Sequence, residues 1–455
     1  MLSPVSILLV IATLAAIVLS PAQASEPVSP TLPPKLTLQS AVQILREQGL
    51  DLLITEAAIQ GAQGDLRIAE ALPNPALSLG YGRSRAQRTT EGDPSATPPI
   101  PSDTRWVILK DPVLSASLSD QASLQSILFG KRGLRSDVAR AALAAARMSR
   151  LDAERILISL VKQQFVQALV ARAALQFTRA VQDTSSHSFN LSETRYRAGA
   201  ISEADLARVE TAKLESDQAA DVAAQNYRIA QVGLAFLLGI RSAIPDFELD
   251  EPGVLHYSLP ASLSGMSREA LLRDALERRS DLKALQFQKQ RAESSIALAK
   301  RLRIPDIALS LSYTQQGTME GVAISPPTLT LGLSAPLPLL YQQQGEIQKA
   351  EADYRMQFLQ YQRAEAQVVN DVETAHAAFV SSEQLVKRME GRLLERSARA
   401  KDLVSFQYQK GAASLLEFLD AQRTYIATNI EYLQDLTAYW MAVFKLEQAV
   451  GMEFR

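Results

Sequence analysis

Hydrophobic positions along this chain follow two rhythms. Over long stretches an apolar residue returns every three or four positions. Ile158, Val161, Phe165, Ala168 and Leu175 form one such run, the spacing of a seam between packed helices. Elsewhere apolar and small polar residues alternate, in Leu77–Tyr81, Leu114–Leu118, Ile307–Tyr313 and Leu329–Ala335, and period two predicts strands. Proline separates the two textures. Residues 35–72, 113–244, 261–304 and 339–455 contain none. Proline breaks helix interiors, and these gaps are rich in Ala, Leu, Gln, Glu and Arg, which favour helix.

Glycine divides the tracts further. Gly199 in Tyr196-Arg-Ala-Gly199 suits a helix C-cap, and Ser202 followed by Asp205 resembles a capping start. The second tract therefore reads as a helix over 121–198 and another over 202–239. The first would extend roughly 110 Å at the helical rise. The competing reading is several shorter helices joined at kinks.

The second half repeats the first. At a fixed offset of 212 residues, Gly133 aligns with Gly345, Tyr196 and Gly199 with Tyr408 and Gly411, and Asp205 with Glu417. Tyr227, Ala230 and Gly239 align with Tyr439, Ala442 and Gly451. A duplicated unit explains one register held over such a distance. The expected layout is a signal peptide at 1–24, a first repeat at 25–239, a linker region at 240–264 and a second repeat at 265–452. Each repeat would hold a helix, a strand pair (76–118 and 307–337), a long helix (121–198 and 341–409) and a shorter one (202–239 and 413–450). The connection at 83–105 reads as a loop rich in Ser, Thr, Pro and Arg, making the first strand pair about 20 residues longer than the second.

Composition narrows the classes. There are no cysteines, so disulfide scaffolds, thiolate metal sites and an N-terminal lipid anchor are excluded. The formal net charge is -2, which gives no reason to expect nucleic acid as a partner. Leu8–Leu19 followed by Ala22-Gln23-Ala24 reads as a cleavable export signal, although Met1–Ser6 carries no basic residue. A membrane anchor is the rival, disfavoured by the short run and by Pro21. Past this segment, no uncharged apolar stretch is long enough for a helical membrane span. Four alternating segments would suit a membrane barrel, but four strands cannot close one, and open sheet edges are not tolerated in lipid. Several copies would have to share one wall. The plain alternative is a sheet in a water-soluble core.

Ala71-Leu-Pro-Asn-Pro75, Ile304-Pro-Asp-Ile307, Pro336-Leu-Pro338 with Gln344-Gly-Glu-Ile-Gln-Lys-Ala350, and the repeated Tyr-x-x-Gly turn followed by Leu419-Asp-Ala-Gln422 carry a resemblance over about residues 35–452. The sequence resembles the TolC-type outer membrane factor family, most of all the outer membrane components of cobalt-zinc-cadmium cation efflux systems. The resemblance implies a mainly α fold with a small β part: a homotrimer whose twelve-stranded barrel, four strands per chain, lies in outer membrane lipid. A long helical tunnel would continue into the periplasm. Shorter helices would stack end to end, 35–72 on 266–302 or on its repeat partner. The implied partners are a periplasmic membrane fusion adaptor and an inner membrane resistance-nodulation-division pump, and the implied activity is passive conduction.

By the same resemblance, the pore gate falls on Glu417 and Asp420, with Asp205 at the repeat-equivalent of Glu417. Three copies of each carboxylate on one axis would attract cations and repel one another. The other reading is that they are first-turn acids complementing a helix N-terminus. The multidrug branch places a basic residue where this chain has Ala413, so Arg197 and Lys410 become candidate latch residues, or else solvated helix-end cations, with Arg208 a further candidate whose alternative is a local pair with Asp205 three residues earlier. The turns around Tyr196, Gly199, Tyr408 and Gly411 are the implied adaptor-docking sites. Gly130-Lys-Arg-Gly133 lacks phosphate-loop spacing and suits a strand-to-helix transition. His187, His256 and His376 are scattered, so no metal, catalytic or cofactor site is expected. A coiled-coil adaptor would show one hairpin flanked by lipoyl-like and barrel domains, and a hydrolase would show a nucleophile cluster. The cargo reads as heavy-metal cations, with a multidrug or other small-molecule export channel as the alternative.

Overall fold

The computed structural model describes residues 32–83, 85–108, 112–120, 129–241, 247–315 and 326–454. The expected signal segment, the opening of the helix placed at 121–198 and the tip of the second strand pair lie outside these residues. The first half contains β1 (Lys35–Leu36), α1 (Leu38–Gln48), α2 (Leu50–Glu70), β2 (Ala76–Gly82), β3 (Arg85–Thr90), β4 (Asp103–Ile108), β5 (Val113–Asp120), α3 (Lys131–Arg197) and α4 (Glu203–Leu237). A short strand β6 (Glu248–Leu249) and a 3₁₀ turn (Pro252–Leu255) follow. The second half contains α5 (Arg268–Arg278), α6 (Ser280–Arg301), β7 (Ala308–Gln315), β8 (Thr328–Ser334), α7 (Gln344–Arg388), a π-helical turn (Met389–Leu393), α8 (Leu394–Gln409) and α9 (Leu415–Val450). The chain divides into two compact units, and α3 and α9 each contribute to both.

The unit formed by 51–159, 257–392 and 438–455 carries the main sheet. Its strands run β2-β5-β7-β8, each antiparallel to the next. The register sorts the side chains cleanly. Leu77, Leu79 and Tyr81 stand opposite Leu118, Ala116 and Leu114. Leu309, Leu311 and Tyr313 stand opposite Leu333, Leu331 and Leu329. These residues share one face, and their leucines and tyrosines are exposed. The other face carries Ser78, Gly80, Ser115, Ser117, Ser310, Ser312, Thr330 and Gly332. The outer edges of β2 and β8 have no strand partner among the described residues.

The loop expected at 83–105 is corrected. β3 and β4 pair as a second antiparallel ribbon, with Arg85 opposite Ile108 and Thr90 opposite Asp103. Its threonines favour extended backbone, while its arginines hide any apolar alternation. Within the described residues the long helix runs from Lys131, after Gly130 at φ 69°. Lys131 is buried, and its ammonium donates to Ile304 O at 2.6 Å and to Asp306 at 2.8 Å. Arg132 donates to Glu70 O at 2.7 Å. The basic pair of Gly130-Lys-Arg-Gly133 therefore ties the helix start to the segments entering β7 and β2.

Both of the roughly 37-residue helices placed before the strand pairs are interrupted by one extended residue. Gly49 (ψ 121°) separates α1 from α2, and Arg279 (ψ 125°) separates α5 from α6. Thr37 and Ser267 cap the respective starts. Arg279 is fully used. Its guanidinium donates to Asp281 at 2.6 and 3.1 Å, to Asp371 at 2.9 Å and to Ala449 O at 3.3 Å. Burial would raise the Asp281 carboxyl, but the bonds and charge of Arg279 hold it below the usual carboxylate range. The second long helix, expected as one piece over 341–409, is α7, the π turn and α8. Glu390 in that turn accepts the Tyr257 backbone N–H at 2.8 Å, and Glu383 two turns earlier accepts the Tyr257 hydroxyl at 2.9 Å.

The other unit contains the chain up to Leu50, residues 160–256 and residues 393–437. β1 and β6 pair in parallel. Leu36, Leu45, Val161, Phe165, Ala168, Leu234, Leu238 and Leu249 form its core. The seam residues Val161, Phe165 and Ala168 are thus fully buried, as their spacing predicts. Gly239 (φ 83°) ends α4 against the α1–α2 interruption, where any β-carbon would meet Gln48 O at 2.9 Å. The end of α4 therefore abuts the middle of the 35–72 segment. In the sheet-bearing unit, Gly451 after α9 sits in the same way beside Arg279.

Candidate functional site

Two helical hairpin turns, α3–α4 and α8–α9, lie in the second unit and are built alike. In each a Tyr-x-x-Gly segment closes the first helix. Gly199 at φ 71° and Gly411 at φ 76° take the left-handed conformation that glycine adopts without strain. The next backbone N–H reaches back five residues, from Ala200 to Arg195 O at 2.9 Å and from Ala412 to Gln407 O at 2.8 Å. Three residues past each glycine a serine caps the following helix. Ser202 accepts from the Asp205 N–H at 3.1 Å, and Ser414 from the Glu417 N–H at 3.2 Å.

Asp205 and Glu417 thus hold the same third position of equivalent helices. Glu417 accepts the Ser414 backbone N–H at 2.7 Å and the Ser414 hydroxyl at 3.0 Å, completing a capping box. Those bonds, the backbone one foremost, hold its carboxyl below the usual range. Asp205 accepts from the Ser202 hydroxyl at 2.9 Å and from Arg208 at 3.4 Å. Asp420 lies one turn beyond Glu417, is exposed, and has no partner among the described residues. The capping geometry is present in the single chain; whether the same carboxylates form a ring is a property of an assembly.

The candidate latch cations are held locally. Arg197 pairs with Glu193 at 2.7 Å, Arg208 with Asp205, and Lys410 lies 5.6 Å from the centre of the Phe406 ring. One link between hairpins falls on residues that the sequence did not single out. Glu215 of α4 pairs with Arg423 of α9 at 3.1 Å. Both line a cavity of about 240 Å³ with Thr178, Val181, Leu419 and Ile426. Arg195 lies 5.9 Å from the centre of the Tyr408 ring, which stacks on Phe418 at 5.0 Å. Tyr196, the repeat-equivalent of Tyr408, is instead exposed. That asymmetry follows from the repeat itself, because Leu206 occupies the position equivalent to Phe418. Among the described residues no group of His, Asp or Glu could hold a metal ion.

The model for the family described as outer membrane efflux protein matches residues 41–240 and 271–452. The chain belongs to the outer membrane efflux protein family. The two matched segments correspond to the two repeats, and membership makes this chain an outer membrane channel protein. It is 25% identical to the pyoverdine export outer membrane protein OpmQ of Pseudomonas aeruginosa, over 91% of this chain and 85% of that one. It is 23% identical to the cobalt-zinc-cadmium resistance protein CzcC of Cupriavidus metallidurans, over 91% and 90%. The solved structure of CusC superposes with a TM-score of 0.71 at 19% identity, covering 91% of this chain and 92% of that one. Identities of 25% and 23% do not separate relatives with such different cargo names.

Proposed function

We propose that three copies of this chain close a twelve-stranded barrel, continue into a helical conduit, and passively release cargo handed over by a periplasmic adaptor and an inner membrane pump. The two-faced sheet carries this reading. Four strands present leucine and tyrosine on one side and serine, threonine and glycine on the other, with both edges unpartnered among the described residues. Lipid wants the first face, and a water-filled lumen accepts the second. Antiparallel strands at both edges let β8 of one copy pair with β2 of the next. Twelve strands at about 4.8 Å spacing and about 40° tilt enclose a backbone diameter of roughly 24 Å. Hydrated ions would pass such a lumen without losing their shells.

Selection and closure then belong to the helical turns, where Glu417, Asp420 and Asp205 gather negative charge and would form the constriction. Around it, Tyr196, Gly199, Tyr408 and Gly411 shape the surfaces offered to the adaptor. Heavy-metal cations are the cargo this arrangement favours, because stacked carboxylate rings concentrate cations. Small organic cargo is the second reading, favoured by similarity to OpmQ. Conductance across a reconstituted bilayer tests the gate. Changing Glu417 and Asp420 together to alanine should lower cation preference and raise the idle open fraction. Unchanged preference and open fraction would reject the rings. In cells lacking the gene, restored tolerance to cobalt, zinc or cadmium, set against restored siderophore release, decides the cargo.

A further inference from the structure

Two helix faces in the unit that holds the hairpin turns keep a packing rhythm yet stay uncovered. On α8, Arg396, Arg399, Leu403 and Phe406 recur at three, four and three. On α4, Glu203, Ala207, Glu210 and Leu214 recur at four, three and four. That is the seam spacing which elsewhere buries Val161, Phe165 and Ala168. Here every member is exposed, with Leu403, Phe406 and Leu214 at 55%, 58% and 59%. Arg396, Arg399, Glu203 and Glu210 have no ion pair or hydrogen bond among the described residues. Both faces point away from the contacts inside the chain. α8 turns Lys401, Asp402 and Ser405 toward a cavity shared with Phe177 of α3 and Tyr425 of α9, and Arg399 and Leu403 each lie about half a helical turn from Lys401. α4 turns Ala212, Glu215 and Ala219 toward α9, and Glu210 and Leu214 each lie about half a turn from Ala212.

We propose that the α8 face of one copy packs on the α4 face of the next and closes the ring of hairpins. The seam rests on the three-copy reading above and names the surfaces it uses in the helical conduit. Charge and height select this partner. One face is basic, the other is acidic, and both carry apolar residues. The Arg195 guanidinium lies 5.9 Å from the centre of the Tyr408 ring, and these residues precede Gly199 and Gly411 by four and three positions, so the two turns are level. Arg399 stands twelve residues before Gly411 and Glu210 eleven after Gly199, which at about 1.5 Å per residue puts them at one height. Leu403, eight before Gly411, then meets Ala207, eight after Gly199, and the small alanine leaves room for the leucine. α8 runs toward its turn and α4 away from its own, so equal counts stay matched along the seam. Setting either face against its own copy would oppose like charges, so the pairing runs head to tail and closes a ring.

The chain has no cysteine, so introduced thiols report alone. In the detergent-solubilised protein, Arg399→Cys with Glu210→Cys should cross-link between copies on mild oxidation, giving covalent dimers and trimers on a denaturing gel. Either variant alone should give none. Bands from the single variants as strong as those from the pair would overturn the seam in favour of random collision. A second arm reads the mass of the assembly in detergent. Arg399→Glu should raise the concentration at which half the copies are assembled by about tenfold, and adding Glu210→Arg should recover most of it. No recovery would overturn the pairing of these faces. The same measurement separates the two proposals. A monomeric wild type rejects the three-copy reading. A trimeric wild type whose double-cysteine variant stays uncross-linked overturns this inference alone.

Discussion

Replacing Arg279 by methionine tests whether a buried cation holds the interrupted helix of the second repeat in line. Its side chain is 6% exposed and bonds to two carboxylates and one helix-terminal carbonyl. Methionine keeps most of the volume, so the cost arises from stranding Asp281 and Asp371. Removing one member of a buried ion pair costs about 3–5 kcal/mol. The two carboxylates are 26% and 30% exposed, so water reaches them once the cation is gone. The loss should therefore fall near the lower limit, about 3 kcal/mol. Urea unfolding of the detergent-solubilised protein, followed by helical ellipticity, measures it. Adding Asp281→Asn and Asp371→Asn to the same chain should recover at least half. The pH dependence carries a fixed sign. The folded Asp281 carboxyl lies below its usual value, so its contribution is complete above the ordinary carboxylate range, near pH 4, and is lost as pH falls through the lower folded value. Wild type should lose that margin on acidification, and Arg279→Met should have none to lose. A single-variant loss under about 1 kcal/mol, or a triple variant no better than the single, would refute the reasoning.

Glu417→Gln separates the two roles of its side chain: the amide oxygen can still accept from Ser414 while the charge disappears, so cation preference should fall with only a small loss of thermal stability. Ser414→Ala should do the reverse, and equal effects on both readouts in both variants would show that the roles are one. Gly411→Val forces a β-branched residue into a left-handed turn at φ 76°, costing about 1–2 kcal/mol, and should weaken adaptor capture in a pull-down more than it lowers the melting temperature. For the hairpin link, Glu215→Arg or Arg423→Glu alone should raise idle conductance, and the two together should restore it. The pair is more than half exposed, so its contribution to stability is small, and a melting shift without any conductance change would disprove a linking role.

The sequence disclosed what repetition and punctuation can disclose. Proline-free tracts marked the helical segments, period two marked the main-sheet strands, and the offset of Gly199 to Gly411 announced two equivalent turns. The interruptions at Gly49 and Arg279 stayed hidden because each takes a single extended residue with no proline. The β3–β4 ribbon stayed hidden because arginine and threonine occupy positions where an apolar alternation would have shown. The β1–β6 pair is two residues long and joins segments far apart in the chain, which no local pattern reveals. At the turns, Glu417 and Asp205 were found through the repeat. The Glu215–Arg423 link was not, since its partners are separated by 208 positions and neither lies in a motif. Arg197 looked free in the sequence, yet helical geometry supplies it with a carboxylate one turn away, whereas the pairing of Arg208 with Asp205 was legible from their spacing.

In the proposed assembly, the margins of β2 and β8, which have no strand partner among the described residues, make each chain dependent on its siblings before it can settle in the membrane. Entry into the bilayer and association become one event, because an unaccompanied copy would carry two rows of unsatisfied backbone into oil. A defect confined to either margin would then be contagious. One faulty copy would leave an open seam between two sound ones, and a cell producing both versions would lose far more working pores than the share of faulty chains suggests.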